Sequence, residues 1–326
     1  MSLSRFVHML GRGPSKARHM TRDEAGEAIG LILDGQAAPE AVGALLMLMR
    51  YRGETADEIA GFVDAIRARV SGWDALPVAL DWPSYAAGRS RGRPWFLLSV
   101  KLVARAGHRV LIHGWNSHQN PVASVREALP EIGIDRCVTS DQAAREIASE
   151  GIVYVPVEAF HAELLPLLKL RDVLGLRSPI NTALRALNPA QAAATVQGVF
   201  HPSYRALQQD TAALLGQENL TVIKGGGGEF ECNPSKDTAL FCLNGGQLGE
   251  ETIEATQEGP KRLRDGSMAR GLGALWAGHE HDPFASAIVV GTAALALRTV
   301  EPTLTLHDAQ QLAQKLWLER NQARAA

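Results

Sequence analysis

The sequence predicts an α/β protein, with a small N-terminal helical domain followed by a larger domain built on a mostly parallel sheet. Two observations carry this. The first seventy or so residues hold only helix signals, whereas from Pro77 short apolar runs of strand length alternate with longer helical runs. Strands covered on both faces by the intervening helices belong to a parallel sheet. The expected domain limits are 1–76 and 77–326.

In the first part, Thr21-Arg22-Asp23-Glu24 and Thr55-Ala56-Asp57-Glu58 each spell a capping box, in which hydroxyl and carboxylate satisfy orphan backbone amides at a helix start. The first of these helices stops at Asp34-Gly35. Pro39 suits the first position of the next, and Ile59, Phe62, Val63, Ile66 and Val70 keep helical spacing up to Gly72. Beyond Pro77, strands are expected at 78–80, 110–112, 152–155, 194–198, 220–223 and 239–243. Helices are expected at 95–106, 122–132, 141–149, 160–174, 202–215, 285–297 and 305–318.

The 326 residues are 46% hydrophobic and 21% charged, as in a globular protein, and the formal net charge is −2. There is no global basic footprint, so a nucleic-acid partner would need a local patch. Three scattered cysteines, Cys137, Cys232 and Cys242, suit neither a disulfide framework nor a zinc site. No apolar run reaches membrane-spanning length, and 285–297 reads as a buried helix. A cytoplasmic location without a membrane partner is the expectation.

The stretch from Leu170 to Asn181, running on to Asn188-Pro189, places Arg171 and Arg177 in otherwise apolar surroundings. Packing has no use for two guanidinium groups there. Their planar forks suit carboxylates and phosphates, so the segment points to a cleft that receives an anion, although a solvated helix face with ordinary ion pairs gives the same pattern.

Several segments in order resemble the anthranilate phosphoribosyltransferase family, a glycosyltransferase group sharing its fold with thymidine phosphorylase. They are Arg50-Tyr51-Arg52-Gly53-Glu54-Thr55 with Glu58-Ile59, Ala106 to Val110 with His113-Gly114, Leu129 to Ile134, the arginine segment, Val196-Gln197-Gly198-Val199, and Ala285 to Leu297. The resemblance implies the nucleoside phosphorylase/phosphoribosyltransferase fold, a returning helical segment at about 176–190 joining the helical domain, a cleft between the domains, and a homodimer formed through the helical domain. It also implies cleft anion binding by His113, Asn116, Arg171 and Arg177.

The chain departs from that pattern where the family holds a magnesium-bound diphosphate. The family's glycine-rich loop is replaced by Asp81 to Arg93, the lysine before His113-Gly114 is Ile112, and the adjacent Asp-Glu pair becomes Glu229-Phe230-Glu231. Glu229 and Glu231 would point the same way on a strand and share a cation there, but not as a loop. In place of the cradle stand Arg89, Arg91 and Arg93, with Lys101 on the following helix and Arg12, Lys16 and Arg18 near the N-terminus. Such groups suit a phosphodiester backbone, and Trp82, Tyr85, Trp95 and Trp115 are candidate stacking rings. These departures resemble the divergent YbiB-like branch, regarded as nucleic-acid binders. The expectation is therefore a DNA- or RNA-binding homodimer without cofactor or catalytic residues. The alternative is a phosphoribosyltransferase moving phosphoribose from phosphoribosyl diphosphate (PRPP) to an anthranilate-like acceptor, with magnesium on Glu229 and Glu231. The Gly225–Gly228 run reads as a turn, and His279 to Asp282 lack the spacing of a metal site.

Overall fold

The computed structural model describes residues 2–13, 15–70, 72–86, 92–115, 121–259, 262–263 and 270–321. Four helices open the chain: α1 (Ser4–Gly11), α2 (Arg22–Leu33), α3 (Pro39–Arg52) and α4 (Ala56–Arg67). Both capping boxes form, with Thr21 and Thr55 accepting from the Glu24 and Glu58 amides while those glutamates cap in return. Glu58 is buried and also accepts from the Met20 amide at 3.0 Å, which ties the α1–α2 connection to α4.

The second part alternates β1 (Leu80–Ser84), α5 (Phe96–Arg105), β2 (Val110–Gly114), α6 (Val125–Ala128), α7 (Ser140–Ser149), β3 (Ile152–Pro156), α8 (Leu164–Leu174), α9 (Pro179–Arg185), β4 (Ala194–Val199), α10 (Tyr204–Leu214) and β5 (Asn219–Lys224). A hairpin follows, β6 (Thr238–Asn244) and β7 (Gln247–Ile253), and then α11 (Leu272–Ala277), α12 (Pro283–Val300) and α13 (Leu306–Leu318). One seven-stranded sheet results, in the order β3-β2-β1-β4-β5-β6-β7. The first five strands run parallel, and β6 and β7 are antiparallel.

Side-chain alternation along the strands divides the core. Val110 and Ile112 of β2 and Ile152 and Tyr154 of β3 face α5, α12 and α13. Leu111, Val153 and Val155 face the opposite way and merge with the apolar interior of α1–α4 and with Ile180, Ala183, Leu184 and Leu187. The helical bundle, the segment around α9 and one face of the sheet therefore share one core. Cys137, Cys232 and Cys242 are buried free thiols.

Several elements differ from expectation, α11 among them, where no helix was expected. Residues 81–84, expected as loop, extend β1, because the buried Asp81 and Ser84 find polar partners inside. The expected helix over 122–132 breaks into short pieces where Ser124 caps a new start and Pro130 cannot donate to a continuing helix. The polar strand β7 lacks an apolar alternation to announce it. Its turn uses Gly245 and Gly246 at φ +56° and +77°, the pair of positive values that a two-residue hairpin of this kind demands.

β1 pairs with β4 only through Leu80–Ala194 and Asp81–Thr195. Beyond that the two strands part, and the order in which the chain adds strands also turns here, towards β2 and β3 on one side and β4 and β5 on the other. Open α/β sheets place their ligand crevices at such a switch, outside the C-terminal strand ends.

Candidate active site at the domain junction

A cavity of about 230 Å³ lies where the helical domain meets the C-terminal end of β4. The helical domain contributes Arg50 and Glu54, the segment from α8 to α9 contributes Arg171, Arg177, Asn181 and Arg185, and β4 and α10 contribute Phe200, His201 and Tyr204. Local sequence explains the middle contribution. Gly175 takes a left-handed conformation and its amide closes on the Arg171 carbonyl at 2.8 Å, ending α8, and Pro179 restarts a helix at its first position. Arg177 is thereby held in a tight connection above the cavity.

The lining is crowded with positive charge. The Arg177 guanidinium lies 4.8 Å over the Phe200 ring and, among the described residues, makes no ion pair or hydrogen bond. Burial, and then the nearby Arg185, Arg171 and Arg50, push its pKa down to about 10. Arg185 is 6% exposed, and burial lowers its pKa against the attraction of Glu229. Its two terminal nitrogens donate to the carbonyls of Asn181 at 3.0 Å and Tyr85 at 2.6 Å. Arg50 donates to the Tyr204 hydroxyl, which in turn donates to Glu54 at 3.1 Å. Burial and Glu54 raise Tyr204 to about 12, so it stays a neutral donor. Burial, and then Arg177 and Arg50, lower the His201 pKa and favour its neutral form.

Beside this cavity, the ground expected to hold a phosphate is packed with side chains. Tyr85 and His113 are fully buried, with the hydroxyl 2.9 Å from His113 Nδ1. His113 Nε2 lies 3.2 Å from Asp81 Oδ1, close enough for an ion pair but poorly aligned for a hydrogen bond, and Thr195 donates to Asp81 Oδ2 at 3.0 Å. Glu229 accepts from the Ser84 hydroxyl at 2.9 Å and the Ala86 amide at 3.1 Å, and Glu231 accepts from the Phe96 amide at 3.0 Å. A Cβ on Gly198 would come within 2.1 Å of the Glu229 carbonyl carbon, so this segment wedges into the gap between β1 and β4.

Among the described residues magnesium finds no suitable donor set. Both glutamates are buried and each accepts from a backbone amide, only Glu229 Oε2 being left without a hydrogen bond, and no group of three or more potential ligands occurs among the described residues. In the 279–282 run, Asp282 caps α12 through the Ala285 amide at 2.8 Å and Glu280 accepts from the Arg270 amide at 2.7 Å.

Of the residues expected at the site, Arg171 and Arg177 line the cavity, whereas His113 is enclosed behind it. Asn116, Arg89 and Arg91 lie outside the described residues. Arg12 contacts His8 at 3.2 Å, Lys16 is exposed, Arg18 pairs with Glu24 at 2.6 Å, and Arg93 lies 3.8 Å from the Glu131 carboxylate. Lys101 donates to the Ile132 carbonyl at 2.5 Å and sits 4.9 Å over Trp276. None of these lines the cavity. Of the candidate stacking rings, Trp82, Tyr85 and Trp95 are buried and present no face to a base, and Trp115 is half-buried against the core shared with the helical bundle. Arg50, Glu54, Arg185, Phe200, His201 and Tyr204 were not foreseen as cavity residues. A charged residue recurring inside the apolar 179–187 run was the one local hint, and it concerned Arg185.

Comparison with known proteins gives the family and the fold. Residues 6–70 match the helical bundle domain of a glycosyl transferase family. The anthranilate phosphoribosyltransferase of Rhodopseudomonas palustris is 32% identical over 253 residues, covering 78% of this chain and 74% of that protein. Among solved structures, the enzyme of Thermus thermophilus superposes with a TM-score of 0.79 at 21% identity, covering 98% of each chain. The Saccharomyces cerevisiae enzyme in complex with PRPP and magnesium gives 0.76 at 16%, covering 98% of this chain and 94% of that one. These relationships overturn the expectation of a nucleic-acid-binding function, since the relatives are phosphoribosyltransferases and none points to nucleic acid. The local pairing of Arg18 and Arg93 and the burial of the aromatic rings give the physical reason why charged sequence was misleading. The chain belongs to the anthranilate phosphoribosyltransferase family.

Proposed function

We propose that this protein is a phosphoribosyltransferase-type enzyme that takes an aromatic acid as acceptor in the arginine-lined cavity. The observation that carries this reading is the convergence of Arg171, Arg177 and Arg185 with the Phe200 and Tyr204 rings at the switch point of the sheet. In it, Arg171 and Arg177 hold the acceptor's carboxylate, the two rings cover its face, and the Arg50–Tyr204–Glu54 chain fixes the wall supplied by the helical domain. We place the chain in the divergent YbiB-like branch of its family, a placement supported by the side chains that fill the diphosphate ground. We further propose a domain boundary at 76/77, and a homodimer through the helical domain and the adjoining α8, which shares its core; the exposure of Tyr51 (90%) on α3 and Val173 (82%) on α8 supports the dimer.

One observation favours a second reading, a ligand-binding protein without transfer: Tyr85, His113 and Glu229 occupy the space beside the cavity. Calorimetry with anthranilate and with PRPP, each with and without magnesium, followed by an assay for the phosphoribosylated product, tests both. Binding of anthranilate with product formation supports the enzyme. Binding without product supports the second reading, and absence of binding by both compounds sinks the two together.

A further inference from the structure

Transfer to an amine releases a proton, and the cavity offers one group suited to take it. Besides His201, its titratable lining consists of Arg50, Arg171, Arg177, Arg185, Glu54 and Tyr204. The arginines keep their protons at neutral pH and have no lone pair to offer. Tyr204 is itself a donor, and its hydroxyl lies 3.1 Å from each oxygen of Glu54, so that carboxylate already accepts a hydrogen bond. His201 differs from all of these. Among the described residues its ring makes no hydrogen bond or ion pair, and the imidazole is left for a ligand.

The ring is also well placed. It meets the Phe200 ring at 85° with centroids 4.8 Å apart, and the Arg177 guanidinium lies 4.8 Å over that same Phe200 ring. A carboxylate held by Arg177 therefore brings the adjoining positions of its aromatic ring towards His201. Three cations face the imidazole from separate elements: Arg177 from the α8–α9 connection, Arg50 from α3 and Lys224 from the end of β5. With burial as the larger cause, they lower its pKa and favour the neutral, proton-accepting form. His201 is exposed, so a proton that it takes can pass on to water.

We propose that His201 is the general base of the transfer, accepting the proton that the amine of an anthranilate-like acceptor loses as its bond to the sugar forms. This rests on the transferase reading above and assigns a residue to its chemical step. The nitrogen lone pair forms the bond to C1 of the phosphoribosyl group. The bond from C1 to the diphosphate oxygen breaks, and diphosphate leaves with that electron pair. One amine proton moves to a ring nitrogen of His201 and from there to water.

The test is steady-state kinetics of the full chain with anthranilate, PRPP and magnesium over about pH 5–9, with calorimetry of anthranilate binding, on wild type, His201→Gln and His201→Ala. His201→Gln is expected to lower kcat by about a hundredfold or more while anthranilate affinity changes by about threefold or less. In wild type, kcat/KM is expected to fall in acid as one group is protonated below the ordinary imidazole value of about 6.5, and the variant is expected to lack that limb. Added imidazole is expected to restore part of the rate of His201→Ala, which a merely structural role does not allow. A kcat within about threefold of wild type, or an acid limb unchanged in His201→Gln, overturns the assignment and leaves the transferase reading standing. A loss of affinity that accounts for the whole fall in kcat/KM makes His201 a binding residue and overturns it as the base. Wild-type protein that forms no product overturns the assignment and the transferase reading together.

Discussion

The Tyr85 hydroxyl lies 2.9 Å from His113 Nδ1, at the C-terminal ends of two adjacent parallel strands and without solvent exposure for either side chain. In this sheet geometry that position faces the ligand crevice, and here it is closed by a ring and an imidazole backed by Asp81 and Thr195. The Tyr85 carbonyl also accepts from Arg185, so the same residue braces the wall of the neighbouring cavity. Tyr85→Phe leaves a buried imidazole nitrogen without its partner. A loss of about 1–3 kcal/mol is expected, read from the midpoint of urea unfolding with an unchanged slope. An unchanged midpoint would mean that the contact carries no net stability.

Arg177 sits half-buried among three other arginines, with its pKa held down to about 10 mainly by burial. A base with a lowered folded-state pKa opposes folding while both states are protonated. That cost is present at neutral pH and is relieved as pH rises through about 10 towards the unfolded value. Arg177→Met is therefore expected to leave the ligand-free thermal midpoint unchanged or raised, while anthranilate affinity falls by about tenfold or more. A variant that loses stability and keeps its affinity would place Arg177 in the scaffold instead of the site.

Glu229 and Glu231 are committed to Ser84 and to the Ala86 and Phe96 amides. Millimolar magnesium is expected to leave the melting temperature of the ligand-free protein unchanged, because a ligand stabilises only the state that binds it. Glu229→Ala removes a buried acceptor and a charge facing Arg185, and a loss of about 3 kcal/mol is expected in denaturant titration. A saturable rise in melting temperature with magnesium would show the carboxylates to be available to metal.

The Arg18 hydrogen bond, foremost, lowers the Glu24 pKa to about 2. Its folded value lies below its unfolded one, so its contribution is fully present above about pH 4.5 and is lost as pH falls through about 2. The exposure of the pair keeps the effect small and salt-sensitive. Glu24→Gln is expected to flatten the stability profile across that window, and high salt should mimic it in the unmodified protein. A profile identical to wild type would show that the pair adds nothing to acid stability.

If the helical domain and the adjoining α8 form a dimer surface, the exposed Val173 of α8 becomes covered. Val173→Glu is then expected to shift sedimentation from dimer towards monomer as concentration falls, with the monomer still folded by circular dichroism. A monomeric unmodified protein over the same concentrations would end that proposal.

Much of the fold was legible because it rests on short-range chemistry. The two capping boxes, the Pro39 and Gly175 boundaries, and the alternation of apolar strand and helix are satisfied within a few residues of chain, so local pattern predicts them. Arg171 and Arg177 were legible as cleft residues for the same reason, being charges that no local packing explains. Strand β7 was not, because its polar residues are held by pairing with β6 and need no apolar alternation.

Local pattern specifies the fold class, most of the helices and one pair of cavity arginines. Which charges line the cavity is settled in the folded chain. Arg50, Glu54, Arg185 and Tyr204 converge from distant parts of the chain, whereas Arg18 and Arg93, equally basic as letters, have glutamates close by. A side chain's charge is a property of its residue. Whether that charge is cancelled, buried or offered to a cavity depends on neighbours that the folded chain alone brings near.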